Sequence, residues 1–200
     1  MGTRNLTMVK ADNEYKIGQY GQYDGHPDVQ GVEILTALLL MDGFSSFKEK
    51  VNSLKQLTDI EAQEYLKSCG GDDSGWVSLA VSKVFEEKYP HLHRNFAGQI
   101  IAAVASGDVT EVLIEISFAG DSLFCEWAYV VDLDANTFEV YCGFNKTPLK
   151  KNDRFYSLQK KDSAYYPVRK LIGWSLDALP DIDDFLNQCT FATAVLKESE

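Results

Sequence analysis

The chain has 200 residues, of which 45% are hydrophobic and 12% are aromatic. This composition can supply a sizeable core and argues against disorder, and the length favours one domain over two. The formal net charge of −11, from 30 acidic and 19 basic residues, disfavours nucleic acids and anionic membranes as partners because both are themselves negatively charged.

The N-terminus is predicted to form a β-hairpin from residues 3–10 and 15–22. Asp12 and Asn13 lie in the intervening turn, and both residue types tolerate the left-handed backbone that such a turn requires. A hairpin turning there would pair Met8 with Ile17 and place the two side chains on the same face of the sheet.

The hairpin leads into a loop at residues 24–28. Gly25 permits a tight bend there, and Pro27 fixes φ and removes a hydrogen-bond donor. Apolar residues at helical spacing then predict a helix from Val32 to about residue 39. The same hairpin would bring Arg4 close to this loop.

Four further helices are predicted from apolar spacing, at about residues 46–57, 58–67, 76–89 and 92–105. The second of these begins with the capping box Thr58-Asp59-Ile60-Glu61. The acidic loop at 70–75 lacks the Gly-Lys-Ser/Thr ending of a phosphate-binding loop and the alternating oxygen ligands of a calcium loop. His91 and His93 are two residues apart and do not share a helix face, so no metal site is predicted.

The character of the sequence changes after residue 107, where β-branched and aromatic residues predominate. An antiparallel meander is predicted, followed by a basic loop at 146–154 and a short final helix at 182–189. The predicted strands are 109–118, 123–133, 137–144, 155–158 and 168–175. We expect the N-terminal hairpin to join the meander in one mostly antiparallel sheet, with the central helices packed on one side, which is an α+β fold.

The cysteines and the apolar runs bear on the location of the protein. Cys69, Cys125, Cys142 and Cys189 form no CxxC pair, and no secretory signal precedes them. The sequence therefore predicts reduced thiols in a cytoplasmic protein. The longest apolar run, residues 34–41, is too short to span a bilayer, so no membrane association is predicted.

The densest group of polar and aromatic residues lies at the end of the second predicted strand and in the loop after it, and we predict a ligand-binding surface there. Tyr and Gln side chains combine rigid amphipathic area with hydrogen-bonding groups, which suits a small polar ligand or a protein partner. A half-buried aromatic strand would show the same pattern. The predicted surface consists of Arg4, Gln19, Tyr20, Gln22, Tyr23, Asp24 and His26.

Asp24 and His26 also suggest an enzymatic alternative. The two side chains could hydrogen-bond across the loop and act as the acid/base pair of a hydrolase, with Arg4 holding an anion. Ordinary turn chemistry is the favoured explanation of this loop, because Asp, Gly and Pro residues occur together mainly for the backbone conformations that turns require. The sequence contains no GxSxG, HExxH or GxGxxG motif, and no Ser-His-Asp or Cys-His set can be picked out, so catalytic residues stay undefined and no cofactor is predicted.

The start Met1-Gly2-Thr3-Arg4 and the loop Tyr23-Asp24-Gly25-His26-Pro27 resemble a family of bacteriophage and bacterial proteins of unknown activity. Members of that family begin with Gly-Thr-Arg and carry an aromatic-Asp-Gly-x-Pro-like loop. A His-Trp often precedes their Asp-Gly, whereas Gln22-Tyr23 stand in that place here and His26 follows. The resemblance covers about the first 31 residues and implies an accessory protein of phage or mobile-element origin.

Arg4 and Asp24 give a second resemblance, to the N-terminal-nucleophile hydrolases. The mature chains of those enzymes begin with a nucleophile, run Thr-Arg or similar along the first strand, and carry an Asp at the end of the second. Removal of Met1 would here expose Gly2, which has no side-chain nucleophile. The resemblance therefore implies a related fold with a lost or different activity.

Overall fold

The computed structural model describes residues 2–72, 77–161 and 163–198. The predicted helix start at Trp76 and residues 73–75 of the predicted acidic loop at 70–75 lie outside the described residues. Within the described ranges the chain forms six α-helices and a mostly antiparallel five-stranded sheet, which confirms the predicted α+β fold.

The N-terminal hairpin consists of β1 (Asn5–Ala11) and β2 (Glu14–Gly21). Asp12 and Asn13 form the turn with φ of 53° and 64°, as predicted from their tolerance of the left-handed region. The predicted pairing of Met8 with Ile17 is wrong by one residue, because a β-bulge makes Val9 the partner of Ile17. A shift of one residue exchanges the faces of a strand, so Ile17 packs with Val9 and not with Met8.

Three C-terminal strands complete the main sheet: β5 (Trp127–Asp132), β6 (Thr137–Cys142) and β7 (Arg169–Ser175). Each lies within one of the predicted strands. The strand order is β2-β1-β5-β6-β7, with β1 and β5 parallel and the other neighbours antiparallel. The expectation that the hairpin joins the C-terminal strands in one sheet is confirmed.

The predicted strand at 109–118 is largely absent. Only β4 (Glu111–Val112) is a strand, and it pairs in parallel with β3 (Lys55–Gln56) in a separate two-stranded sheet. The segment Ile116–Gly120 is a 3-10 helix. The physical reason is that β1 occupies the edge of β5 that a preceding meander strand would need. Residues 109–118 therefore keep only the short pairing with β3 and one isolated parallel bridge, from Ile114 to Gly18 of β2.

The six α-helices agree with the predicted ones except at their ends. The Thr58–Glu61 capping box is confirmed, with Glu61 N–H donating to Thr58 Oγ1 and Thr58 N–H donating to Glu61 Oε2. The predicted helix at 92–105 starts only at residue 99, because Ala97 has a φ of 42° that no right-handed helix contains.

The predicted strand at 155–158 is a 3-10 turn, and the final helix continues well beyond residue 189. The helices are α1 (Val32–Leu39), α2 (Ser45–Ser53), α3 (Asp59–Ser68), α4 (Leu79–Lys88), α5 (Gln99–Ser106) and α6 (Ile182–Glu198).

The sheet separates two hydrophobic clusters. One face, which includes Val9, Ile17 and Tyr129, packs against α1, α2, α5 and α6. The opposite face, which includes Met8 and Val130, is covered by loops and 3-10 turns. Neither α3 nor α4, both fully described, contributes a buried residue to either cluster.

No described helix combines the length and the apolar character needed to cross a bilayer.

Candidate functional site

The loop after β2 is fastened tightly to the strands beside it. Gly25 N–H donates to the carbonyl oxygen of Thr3 at 2.9 Å, and Tyr129 donates its hydroxyl proton to the Gly25 carbonyl at 2.8 Å. A Cβ at Gly25 would lie 2.7 Å from the Thr3 oxygen, so only glycine fits there without a shift of the backbone. Asp24 adopts the left-handed region, with a φ of 54°. The loop conformation is therefore set by contacts with β1 and β5.

Gly2 packs under the same loop. A Cβ added there would overlap the Tyr23 ring and the backbone carbonyl oxygen of Gln22. A carbonyl oxygen within the loop cannot rotate away as a side chain can, so any larger residue at position 2 would displace the loop. The described geometry leaves no room at this position for a side-chain nucleophile of the kind that N-terminal-nucleophile hydrolases use.

Four of the seven predicted ligand-binding residues lie together at the end of the hairpin: Arg4, Gln19, Tyr20 and Gln22. Tyr20 donates its hydroxyl proton to Gln22 Oε1 at 2.6 Å. The guanidinium carbon of Arg4 lies 4.8 Å from the centre of the Phe124 ring. Burial raises the pKa of the Tyr20 hydroxyl, although the positive charges of Arg4 and Arg94 act in the opposite direction.

Arg94 is the member of this group that the sequence did not identify. The Gln22 N–H donates to the Arg94 carbonyl oxygen at 3.0 Å, which brings the turn after α4 against the end of β2. Within the described residues, neither Arg4 nor Arg94 forms an ion pair with a carboxylate. No local sequence signal could have found Arg94, because its partners are distant in the chain.

Two cavities meet at Arg94. The first has a volume of about 340 Å³ and is lined by Gln19 and Tyr20, with Glu115 also on its wall. The second, of about 620 Å³, extends beneath α3 and α4. They share three lining residues, which are Leu92, Arg94 and Leu113. We call this pair of adjoining spaces the Arg94 cavities.

The other three predicted residues lie elsewhere. Tyr23 and Asp24 are exposed at the tip of the loop. The His26 ring lies 5.9 Å from that of Trp127 and lines a separate cavity of about 540 Å³ beside α6. Within the described residues no side-chain hydrogen bond or ion pair joins Asp24 to His26 or either of them to Arg4. The three groups of the predicted acid/base arrangement therefore do not converge.

A buried cluster of charged groups lies on the same face of the sheet as Met8 and Val130, and the sequence analysis did not predict it. Asp132 and Glu139 are only 2% and 6% exposed. Arg154 binds both of them, with Nη1 at 2.7 Å from Asp132 Oδ2 and Nη2 at 2.8 Å from Glu139 Oε2. Lys170 Nζ and the Tyr141 hydroxyl also donate to Glu139, at 2.5 Å and 2.8 Å.

The electrostatics of this cluster favour a structural role. Burial opposes the ionisation of Asp132 and Glu139, but the hydrogen bonds that they accept outweigh it, so the pKa of each carboxyl is lowered. A cavity of about 470 Å³ adjoins the cluster. Because Asp132, Glu139 and Arg154 already pair with one another, the cluster serves to attach the Arg154 loop to the sheet.

The structure also assembles a Ser–His–Glu set on the wall of the larger Arg94 cavity. Ser82 Oγ lies 3.0 Å from His93 Nε2, and His93 Nδ1 lies 3.5 Å from Glu86 Oε1. However, the Asn95 N–H donates to Nδ1 at 3.3 Å, so in the neutral ring the proton is on Nε2 and points at Ser82. Burial lowers the pKa of His93, which keeps the ring neutral near pH 7. A general base needs a free lone pair towards its serine, and this arrangement lacks it.

Neither a metal-binding constellation nor a known relative identifies the site. Within residues 2–72, 77–161 and 163–198, no group of three or more His, Cys, Asp or Glu side chains could hold a metal ion. No protein-family model matches the chain, and no curated protein or solved structure matches it either.

Proposed function

We propose that the protein binds a ligand carrying a single carboxylate, which Arg4 and Arg94 hold beside Tyr20 and Gln22. One observation carries the proposal: two arginines without a carboxylate partner in the described structure flank one hydroxyl group, in a chain with 30 acidic residues. A role as an accessory protein of a phage or mobile element is proposed from the N-terminal resemblance alone.

The donors present match a carboxylate. Guanidinium groups offer a planar fork of N–H donors that binds a carboxylate in bidentate fashion. The Tyr20 hydroxyl proton is already donated to Gln22 Oε1, so the neutral donor that remains is the N–H₂ group of the Gln22 amide. Glu115 lines the smaller Arg94 cavity, so a second negative charge on the ligand would be repelled. This favours a monocarboxylate over a phosphate or a dicarboxylate.

Binding is favoured over hydrolysis by the state of the two candidate bases. The His26 ring lies beside the Trp127 ring at an angle of 57° to it, and His93 presents a proton to Ser82. Neither histidine therefore has a lone pair directed at a hydroxyl or thiol nucleophile. The Arg94 cavities, in contrast, are open recesses whose walls include a guanidinium group that has no carboxylate partner within the described residues, and such a recess can receive an anionic ligand.

The test is an NMR titration with phenylacetate and with phenylacetamide, its neutral analogue of the same shape. A charge-assisted hydrogen bond contributes about 1.5–3 kcal/mol, and these arginines are partly solvated, so Arg4→Gln and Arg94→Gln should each weaken phenylacetate binding about tenfold. Lys83→Gln, an exposed change on α4 that removes the same charge, is the control. Equal binding of the amide and the acid, or unchanged affinity in both arginine variants, would refute the proposal.

A further inference from the structure

We infer that the natural ligand is a single-chain amphiphile, a monocarboxylate whose alkyl tail fills the larger Arg94 cavity while its carboxylate binds Arg94. This rests on the proposed anion site and extends it by naming the rest of the ligand.

The larger cavity has the size and lining of a site for an apolar chain. Its volume of about 620 Å³ falls within the range of about 300–1,000 Å³ typical of ligand sites. Most of its wall comes from aliphatic and aromatic side chains. These include Ala62, Leu66, Val77, Phe85, Leu92 and Leu113.

The two helices above the cavity are poorly packed without an occupant. The fully described α3 and α4 contribute no buried residue, and Leu79, which lines the cavity, is 84% exposed. Apolar side chains that border open space forgo both dispersion contacts and the free energy of removal from water. An alkyl chain between these helices and Leu113 would supply both.

The polar groups of the cavity place the head group at one position. Arg94 is the basic residue at the junction with the smaller cavity, next to Tyr20. Ser82 and His93 hydrogen-bond to each other and stay neutral. Asp59 lies on the rim, exposed to water in the first turn of α3. A carboxylate is therefore attracted to the Arg94 end, and the remainder of the wall suits an uncharged tail.

Asp72 also lines the cavity, so a cationic amphiphile is the competing occupant. Arg94 disfavours it, because a quaternary ammonium group at the junction would face a guanidinium that no carboxylate of the described residues neutralises. The tests below separate the two.

The experiment is calorimetric titration of the whole protein with hexanoate, octanoate, decanoate and dodecanoate, each below its micelle concentration. Burial of one methylene group contributes about 0.8 kcal/mol, so affinity should rise about fourfold per added CH₂ until the cavity is full. Ala62→Phe, which puts a ring into the cavity, should weaken decanoate binding at least tenfold. Ile60→Phe, on an exposed position of the same helix outside the cavity, should leave decanoate binding unchanged.

The outcomes separate this inference from the proposed function. If phenylacetate still depends on Arg94 but affinity does not rise with chain length, the tail assignment is overturned and the anion site stands. If Arg94→Gln weakens neither phenylacetate nor decanoate, both are overturned. Decyltrimethylammonium binding as tightly as decanoate would overturn the head-group assignment. The chain-length series uses the unaltered protein, so the result does not depend on the folding of a variant.

Discussion

Arg154→Met gives the sharpest test of the interactions that hold the fold together. Arg154 donates to Asp132 Oδ2 at 2.7 Å and to Glu139 Oε2 at 2.8 Å and 2.9 Å. Methionine retains the apolar length of the side chain and removes its donors and its charge. Two carboxylates that are almost wholly buried would lose their shared cation.

The expected loss of stability depends on the hydrogen bonds that Asp132 and Glu139 keep after Arg154 is replaced. Removing one partner of a buried ion pair typically costs about 3–5 kcal/mol. Glu139 would keep Lys170 and Tyr141, and Asp132 would keep the backbone N–H groups of Asp134 and Ala135, so the lower end applies. We therefore expect a loss of about 3 kcal/mol, which for a protein of this length lowers the Tm by about 6–12 °C.

Urea unfolding and thermal melting of Arg154→Met would measure this loss, with the exposed Lys151→Met as the control. Arg154→Lys should lie between the two, because one ammonium group cannot bridge both carboxylates as the guanidinium does. The triple variant that adds Asp132→Asn and Glu139→Gln should recover most of the loss, since no buried charge then lacks a partner.

The stability that Asp132 and Glu139 contribute should decrease as the pH falls. The folded-state pKa values of Asp132 and Glu139 lie below their ordinary values of 3.8 and 4.5. Their contribution to stability is therefore fully present above about pH 4.5 and is lost as the pH falls through the folded-state values. Arg154→Met should flatten this part of the profile. A loss below 1 kcal/mol, together with an unchanged acid profile, would refute the structural role assigned to the cluster.

Two further predictions concern Gly2 and His93. Gly2→Ala should lower the free energy of unfolding in urea by about 1–3 kcal/mol, because the added Cβ would overlap the Gln22 carbonyl oxygen. Gly120→Ala is the control and should cost less, because the nearest contact of its Cβ is a side-chain atom at 3.3 Å. Equal losses in the two variants would contradict the close packing at position 2. Burial lowers the pKa of His93 below 6.5, so its contribution to stability is present above about pH 6.5 and is lost as the pH falls through the folded-state pKa. His93→Gln should therefore flatten the dependence of unfolding free energy on pH below pH 6.5. Parallel pH profiles for the variant and the unaltered protein would refute this role of His93.

The N-terminal hairpin shows how far local sequence signals reach. The turn at Asp12-Asn13 and the capping box at Thr58 depend on residues within a few positions of each other, and both were predictable. The register of the hairpin was not, because the bulge beside Val9 has no distinct local signature. The α+β class followed from the order of strand-like and helix-like segments.

Residues 109–118 show where local propensity fails. Their β-branched residues favour a strand, but a strand also needs a free edge, and β1 takes the edge of β5. That choice depends on which long-range pairing buries the most apolar surface, which single-segment patterns do not contain.

Part of the candidate site was likewise predictable from local sequence, and part was not. The sequence by itself determined that Arg4, Tyr20 and Gln22 lie near one strand end, because they follow from one hairpin. Only the tertiary structure brought Arg94 to Tyr20, separated His26 from Asp24 and Arg4, and joined Arg154 to Asp132 and Glu139. Local backbone preferences act over a few residues, whereas these contacts are set by the packing of helices and loops onto a shared sheet.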